Sequence, residues 1–291
     1  MRILIFGGKG MLGHKLIQVL NNKFEVWTTI RGKAADLDKF NFYKTVNVLD
    51  SVNILDFEQV RQSIEAVKPE VVINCVGVIK QLPISKDVIN TLTINSIFPH
   101  QLAGLAKQNS FRLINISTDC VFKGTKGKYT EADEADASDL YGRSKNLGEV
   151  LQENCLTVRT SIIGRELETA NSLVDWFLSN EGGKVKGFVN AIYSGFPTII
   201  FADIMTDLIV NQKNLNGLYH ISSEPINKFD LLKLIKEAYR ADIEIEPFED
   251  FKIDRSLNSD KFRKETGFEP LSWHEMIDKM AADPTPYNNW K

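Results

Sequence analysis

Cysteine is scarce in this chain. Cys75, Cys120 and Cys155 are its only three, set far apart with no Cys-x-x-Cys pair, so neither a disulfide framework nor a zinc site is expected and buried free thiols are the simpler reading. Excess charge of one sign is lacking too. Thirty-five basic against 38 acidic residues leave a net charge of −3, which offers no footprint for a nucleic-acid backbone and excludes nucleic acid as an expected partner. No apolar run approaches the roughly 18 residues of a membrane helix. Even Val71–Ile79 is short and carries Asn74, so no membrane span is expected. Met1 to Phe6 run straight into glycines without the apolar stretch and cleavage site of a secretory leader, and a cytoplasmic location is expected.

What is present is an ordinary globular composition: 43% hydrophobic and 25% charged residues exclude wholesale disorder, a coiled coil and a collagen-like chain. The 291 residues exceed the roughly 100–200 of a usual domain, which predicts one large or two closely joined domains. Short apolar runs at Ile3–Phe6, Glu25–Thr29, Val71–Cys75, Arg112–Ile116 and Leu156–Arg159 predict strands. They alternate with helical patterns at Met11–Leu20, Phe57–Val67, Ser85–Lys107 and Leu140–Asn154, as parallel strands joined by crossover helices require. Nearly continuous apolar sequence from Val71 predicts a strand covered on both faces at the sheet centre. Beyond residue 165 the rhythm weakens, leaving helical patterns at Ala202–Gln212, Lys228–Arg240, Ser259–Thr266 and Ser272–Ala281. The expected architecture is α/β: a Rossmann-type doubly wound parallel sheet, residues 1–165 with 198–222, binding a dinucleotide, and a smaller interleaved substrate-binding lobe, residues 166–197 with 223–291, with a cleft between them.

The first strand runs into Gly7-Gly8-Lys9-Gly10-Met11-Leu12-Gly13 and then an amphipathic helix pattern. Glycines at 7, 10 and 13 let the backbone turn sharply and approach a pyrophosphate, while the helix N-terminus aims N–H groups at its charge. Gly7, Gly10, Met11, Leu12 and Gly13 are therefore the expected phosphate-binding residues. A carboxylate at the end of the second strand would pair with a ribose 2′-OH and repel a 2′-phosphate. Val26 to Lys33 contains no acid, and Arg31 and Lys33 stand where that phosphate would lie, so NADPH is expected over NADH.

Tyr141 and Lys145 are four residues apart on one predicted helix. A nearby cation lowers the pKa of a phenol, which otherwise sits near 10 and is too weak an acid for proton transfer at neutral pH. Tyr-x-x-x-Lys is a cheap pattern, and a second copy, Tyr287–Lys291, is read as chance. The stronger signal is its company: Ser117-Thr118-Asp119 follows the strand predicted at Arg112–Ile116, and strand ends of this kind are where ligands bind.

With these motifs the sequence resembles the extended short-chain dehydrogenases/reductases, and among them the dTDP-4-dehydrorhamnose reductases. The matching stretches are Arg2–Gly13, Lys68–Asn74, Ser117–Phe122, Tyr129–Glu131, Tyr141–Glu149, Arg159–Ser161 and Gly217–His220. The resemblance implies reduction of the C4 ketone of a nucleotide-linked 4-keto-6-deoxyhexose for surface-polysaccharide sugars. In it Tyr141 is the proton donor, Thr118 polarises the carbonyl oxygen and Lys145 holds the nicotinamide ribose. Asn53 and Ile54 would lie along the adenine, and Cys75, Val76 and Gly77 along the middle of the cofactor. Sugar contacts would fall to Lys80, Cys120, Phe122, Asn190, Tyr193 and Arg255. No metal is implied, and a homo-oligomer is left open.

The chain departs from that pattern in several places. Asn53 replaces an Asp, Cys120 replaces a Tyr, and Gly77–Gln81 replaces a more acidic loop. An Arg-Pro before the last helices is missing, with Lys252 and Arg255 nearby. These changes point to a different sugar, such as a UDP-linked acetamido 4-keto sugar. Two other readings keep the fold. One is an NAD-holding epimerase or dehydratase, although such dehydratases follow Thr-Asp with Glu where Cys120 stands here. The other is a non-catalytic NADP-binding protein like the regulatory subunit of methionine adenosyltransferase.

Overall fold

Strands of four to seven residues with aliphatic side chains at their centres build most of the central sheet of the computed structural model, which describes residues 1–81 and 83–290. Its strands are β1 (Arg2–Phe6), β2 (Glu25–Thr29), β3 (Asn47–Leu49), β4 (Val71–Asn74), β5 (Arg112–Thr118), β6 (Cys155–Thr160) and an edge strand, Gly217–His220. From that edge the order is β6-β5-β4-β1-β2-β3, and β1–β2, β2–β3, β1–β4 and β4–β5 all pair in parallel. Strand order therefore reverses between β1 and β4, the place where an open α/β sheet leaves a crevice at its C-terminal edge. Ile3 to Phe6 are wholly buried, because helices cover both faces of a parallel sheet.

Contacts divide the chain into two units. The first is Met1–Ser117 with Ser138–Val158 and Ala202–Leu218, and the second is Thr118–Ala137 with Arg159–Phe201 and Tyr219–Lys291; of the latter range Lys291, the end of the chance Tyr287–Lys291 pattern, lies outside the described residues. Residues 118–137, 159–165, 198–201 and 219–222, expected in the dinucleotide domain, group with the second unit. For residues 118–137 the cause is long-range pairing: Tyr129 N donates to Ser256 O at 2.9 Å and Asn258 N to Tyr129 O at 2.7 Å, while Val121, Phe122, Tyr129 and Leu257 form one apolar cluster. The second unit also holds parallel Lys184–Phe188 and Glu244–Phe248, a small three-stranded sheet centred on Ala191–Tyr193, and helices that include Lys228–Tyr239 and Trp273–Ala281.

Helices Met11–Leu20 and Phe57–Val67 form where the pattern places them. The single helix expected over Ser85–Lys107 is instead a 3₁₀ turn Pro83–Lys86, a helix Val88–Leu92, a π turn Thr93–Ile97 and a helix Phe98–Asn109. Asp87 starts the second piece by accepting the Asn90 N–H at 3.0 Å, and Pro99 has no N–H to give the Asn95 carbonyl, which favours the wider turn. The helix expected over Leu140–Asn154 stops at Leu147. A Cβ at Gly148 would stand 1.9 Å from the Asn95 carbonyl oxygen, so the chain must turn away there against the π turn. Only Cys155 is fully buried; Cys75 and Cys120 are half-buried free thiols. Among the described residues no helix is long and apolar enough to cross a membrane.

Candidate active site

The glycine loop lies at the β1 end of the crevice, in the first unit. Gly7 adopts φ +90°, and Gly10 N donates back to Gly7 O at 3.0 Å. A Cβ on Gly13 would meet the Gly7 carbonyl oxygen at 2.2 Å and the Gly8 Cα at 3.0 Å, so the first helical turn packs on the loop only because that position is bare. Helix Met11–Leu20 has no side-chain cap and no acid in its first turn, leaving its N–H groups and positive dipole end to an anion. Tyr43, which carried no signal in the sequence, braces the loop by donating its OH to Gly8 O at 2.7 Å.

The turn after β4 meets this loop. Cys75 N donates to Phe6 O at 3.0 Å, and a Cβ on Gly7 would be 3.2 Å from Val76 N. Ile54, expected along the adenine, is buried in the core. Exposed Asn53 gives its Oδ1 to the Leu55 N–H at 3.1 Å, which leaves its amide nitrogen for a base. Arg31 and Lys33 are exposed and form no ion pair within the described residues. Two carboxylates shape their loop from outside the strand: Asp36 accepts Lys33 N and Asp50 accepts Ala34 N, both at 2.9 Å.

Helix Leu140–Leu147 carries Tyr141 and Lys145. Lys145 is 6% exposed and donates from Nζ to Ile116 O in β5 at 2.7 Å. Burial pushes its pKa down to about 8, while the Glu149 carboxylate and the Cys75 thiol act to raise it. Burial pushes the Cys75 thiol up to about 12, with the Lys145 ammonium pulling the other way. Three buried amides that sequence reasoning missed fix this helix. Asn95, in the π turn, accepts Val78 N at 2.8 Å and donates to Ser144 Oγ at 3.0 Å. Asn74 donates to Asn115 Oδ1 at 2.9 Å, and Asn115 in turn to Gly148 O at 3.1 Å. Lys80, expected at the sugar, has its Nζ 2.9 Å from Asp139 Oδ2 and 5.6 Å from the centre of the Tyr141 ring.

In the second unit, Thr118 closes β5, its Oγ1 donating to Asp119 Oδ1 and accepting Cys120 N, both at 3.1 Å. Asp119 is buried, which raises its pKa against the opposing pull of Thr118, Arg255, Cys120 and Lys228. Arg255 donates from Nε to Phe122 O at 2.7 Å, and its Nη1 lies 3.8 Å from Cys120 Sγ. Tyr193 is 6% exposed, and its hydroxyl has no hydrogen-bond partner within 3.5 Å among the described residues. Burial and then the Asp119 charge hold its pKa well above the usual range. Lys228, whose charge reaches Asp119, is a further cation the sequence did not flag. Phe122, expected at the sugar, is wholly buried and stacks on Tyr129 with ring centres 4.1 Å apart, so its ring packs the interior of the unit. Exposed Asn190 is tied by its amide to Glu249 O at 2.9 Å.

The family described as RmlD substrate binding domain matches residues 1–285. The chain belongs to the RmlD family. Among the variously named curated relatives are reductases and methionine adenosyltransferase subunits. A dTDP-4-dehydrorhamnose reductase of Aggregatibacter actinomycetemcomitans is 28% identical over 237 residues, 77% of this chain and 74% of that protein. Methionine adenosyltransferase 2 subunit beta of Mus musculus is 30% identical over 255 residues, 82% and 72% of the two chains. The solved dTDP-4-dehydrorhamnose reductase of Bacillus anthracis in complex with NADP shares the fold, with a TM-score of 0.79 at 22% identity over 96% of each chain. Since RmlD-type chains bear both names, chemistry for this one has to be argued from its residues.

Proposed function

We propose that this RmlD-family protein reduces the C4 ketone of a nucleotide-linked 4-keto-6-deoxyhexose with NADPH, as a step toward surface-polysaccharide sugars. The observation that carries the reading is the helix Leu140–Leu147, with Tyr141 in its first turn and a buried Lys145 set against Cys75 beyond β4. A non-catalytic binding protein has no need of a buried ammonium one helical turn from a phenol. The bare phosphate cradle fits a dinucleotide, and the Bacillus anthracis reductase binds NADP. When bound, NADPH supplies a hydride to the carbonyl carbon. Tyr141 gives its phenolic proton to the carbonyl oxygen, Thr118 hydrogen-bonds that oxygen, and Lys145 holds the ribose and favours the phenolate left behind. Gly7, Gly10, Met11, Leu12 and Gly13 hold the pyrophosphate, and Arg31 with Lys33 the 2′-phosphate.

Arg31→Ala is expected to weaken NADPH and spare NADH, since only NADPH carries the 2′-phosphate. A charge-assisted hydrogen bond contributes roughly 1.5–3 kcal/mol, or about 10–100-fold in affinity. Equal losses for both cofactors in titrations would deny Arg31 that role.

The sugar follows from Cys120 and Arg255. A thiol in place of a phenol opens space, and Arg255 brings a guanidinium to its edge, a donor suited to an acetamido carbonyl. A UDP-linked acetamido 4-keto sugar is therefore expected to be reduced with higher kcat/KM than dTDP-4-dehydrorhamnose. NADPH oxidation measured side by side tests both levels of the reading. The reverse order overturns the substrate choice. Tight NADPH binding with no oxidation by any 4-keto nucleotide sugar overturns the reductase and favours the role named by the methionine adenosyltransferase subunit.

A further inference from the structure

We propose that Lys80 is a positioning residue for Tyr141, fixing the start of its helix and drawing its phenol toward the ionised form, rather than a contact for the sugar. The inference rests on the reading of Tyr141 as proton donor. Lys80 stands on the loop after β4, 59 residues from Asp139 in sequence, yet its Nζ lies 2.9 Å from Asp139 Oδ2. The other oxygen of the same carboxylate, Oδ1, accepts the Gly142 N–H at 3.0 Å. One side chain thus caps the helix and anchors the ammonium. Tyr141 is the second residue of that helix, and Lys80 Nζ lies 5.6 Å from the centre of its ring. The cation is held by the helix that presents the phenol, so the two move together.

A cation at this distance is attracted to the ring face, and more strongly to the phenolate than to the phenol. The Tyr141 helix carries Arg143, exposed, and Lys145, one turn on, with Asp139 as its cap and Glu149 just past its end. The helix Val88–Leu92 and the π turn Thr93–Ile97, which pack against it, contain no charged residue. With burial pushing its pKa down to about 8, Lys145 is half neutral near that pH. Lys80 therefore gives Tyr141 a further cation, reached from a different part of the sheet, that does not depend on the buried one.

The test reads Tyr141 directly. Tyrosinate absorbance is titrated for the wild type, Lys80→Met and Lys80→Arg, each against its Tyr141→Phe counterpart, so that the difference reports one phenol. Lys80→Met is expected to move the Tyr141 midpoint up by about 0.5 pH unit or more, and Lys80→Arg to restore it. The basic limb of kcat for ketone reduction should move the same way, because only the protonated phenol donates, with KM for NADPH unchanged. An unmoved midpoint in Lys80→Met overturns the proposal. A moved midpoint in a protein with no NADPH-dependent turnover upholds the Lys80–Tyr141 linkage and overturns the reductase reading.

Discussion

Tyr141→Phe is expected to cut turnover by about 10²–10⁴-fold, the range for losing a general acid, with NADPH affinity nearly unchanged. The substitution removes one hydroxyl. The backbone that carries it is held independently, since Ser144 Oγ donates to Tyr141 O at 2.8 Å and Asn95 locks that serine from the π turn. Asp139 keeps the helix N-terminus capped whichever ring follows it. Single-turnover kinetics at saturating NADPH, with a cofactor titration beside them, separate proton transfer from binding. Near wild-type turnover would remove Tyr141 from the mechanism, and a parallel loss of NADPH affinity would signal damage to the helix.

Local rules made much of this site legible. A glycine triplet between a strand and a helix has few uses, and Gly13 shows why, since a Cβ there would collide with backbone. The strands β1, β2, β4, β5 and β6 follow from apolar runs, whereas β3 has three residues beginning with Asn47 and is too short and polar to announce itself. What escaped was long-range. Asn74, Asn95 and Asn115 read as polar interruptions of apolar segments, and their worth appears only when strands and helices 17 to 49 residues apart bring amides together. The same holds for Phe122, which motif position suggested as a ligand contact. Its partners Tyr129 and Leu257 come from sequence that no periodicity links to it. Lys80 was visible as a departure from the family pattern, but its partner Asp139 was not, because a helix cap and an ion pair on one carboxylate need the folded loop.

Lys145→Met carries the other large effect, and its direction differs between stability and function. The ammonium is buried, and its pKa falls from 10.5 to about 8 chiefly through burial. Between those values the unfolded chain binds the extra proton, so stability rises as pH climbs from about 8 toward 10.5, and at pH 7 the buried charge costs on the order of 3 kcal/mol before its bond to Ile116 is counted. Methionine keeps a long flexible stem without the charge, so thermal stability at pH 7 should hold or rise. Function should fall. The loss of a charge-assisted bond to the ribose predicts about 10–100-fold weaker NADPH binding, and turnover drops further because Tyr141 loses the cation one turn along its helix. In the wild type, NADPH affinity should decline as pH rises through about 8, where Lys145 gives up its proton, while the variant stays weak and flat across that window. Calorimetric titrations from pH 6.5 to 9.5 read both curves. Unchanged NADPH affinity in Lys145→Met would deny the lysine its ribose, and a lower melting temperature would mean that its packing, not its charge, was lost.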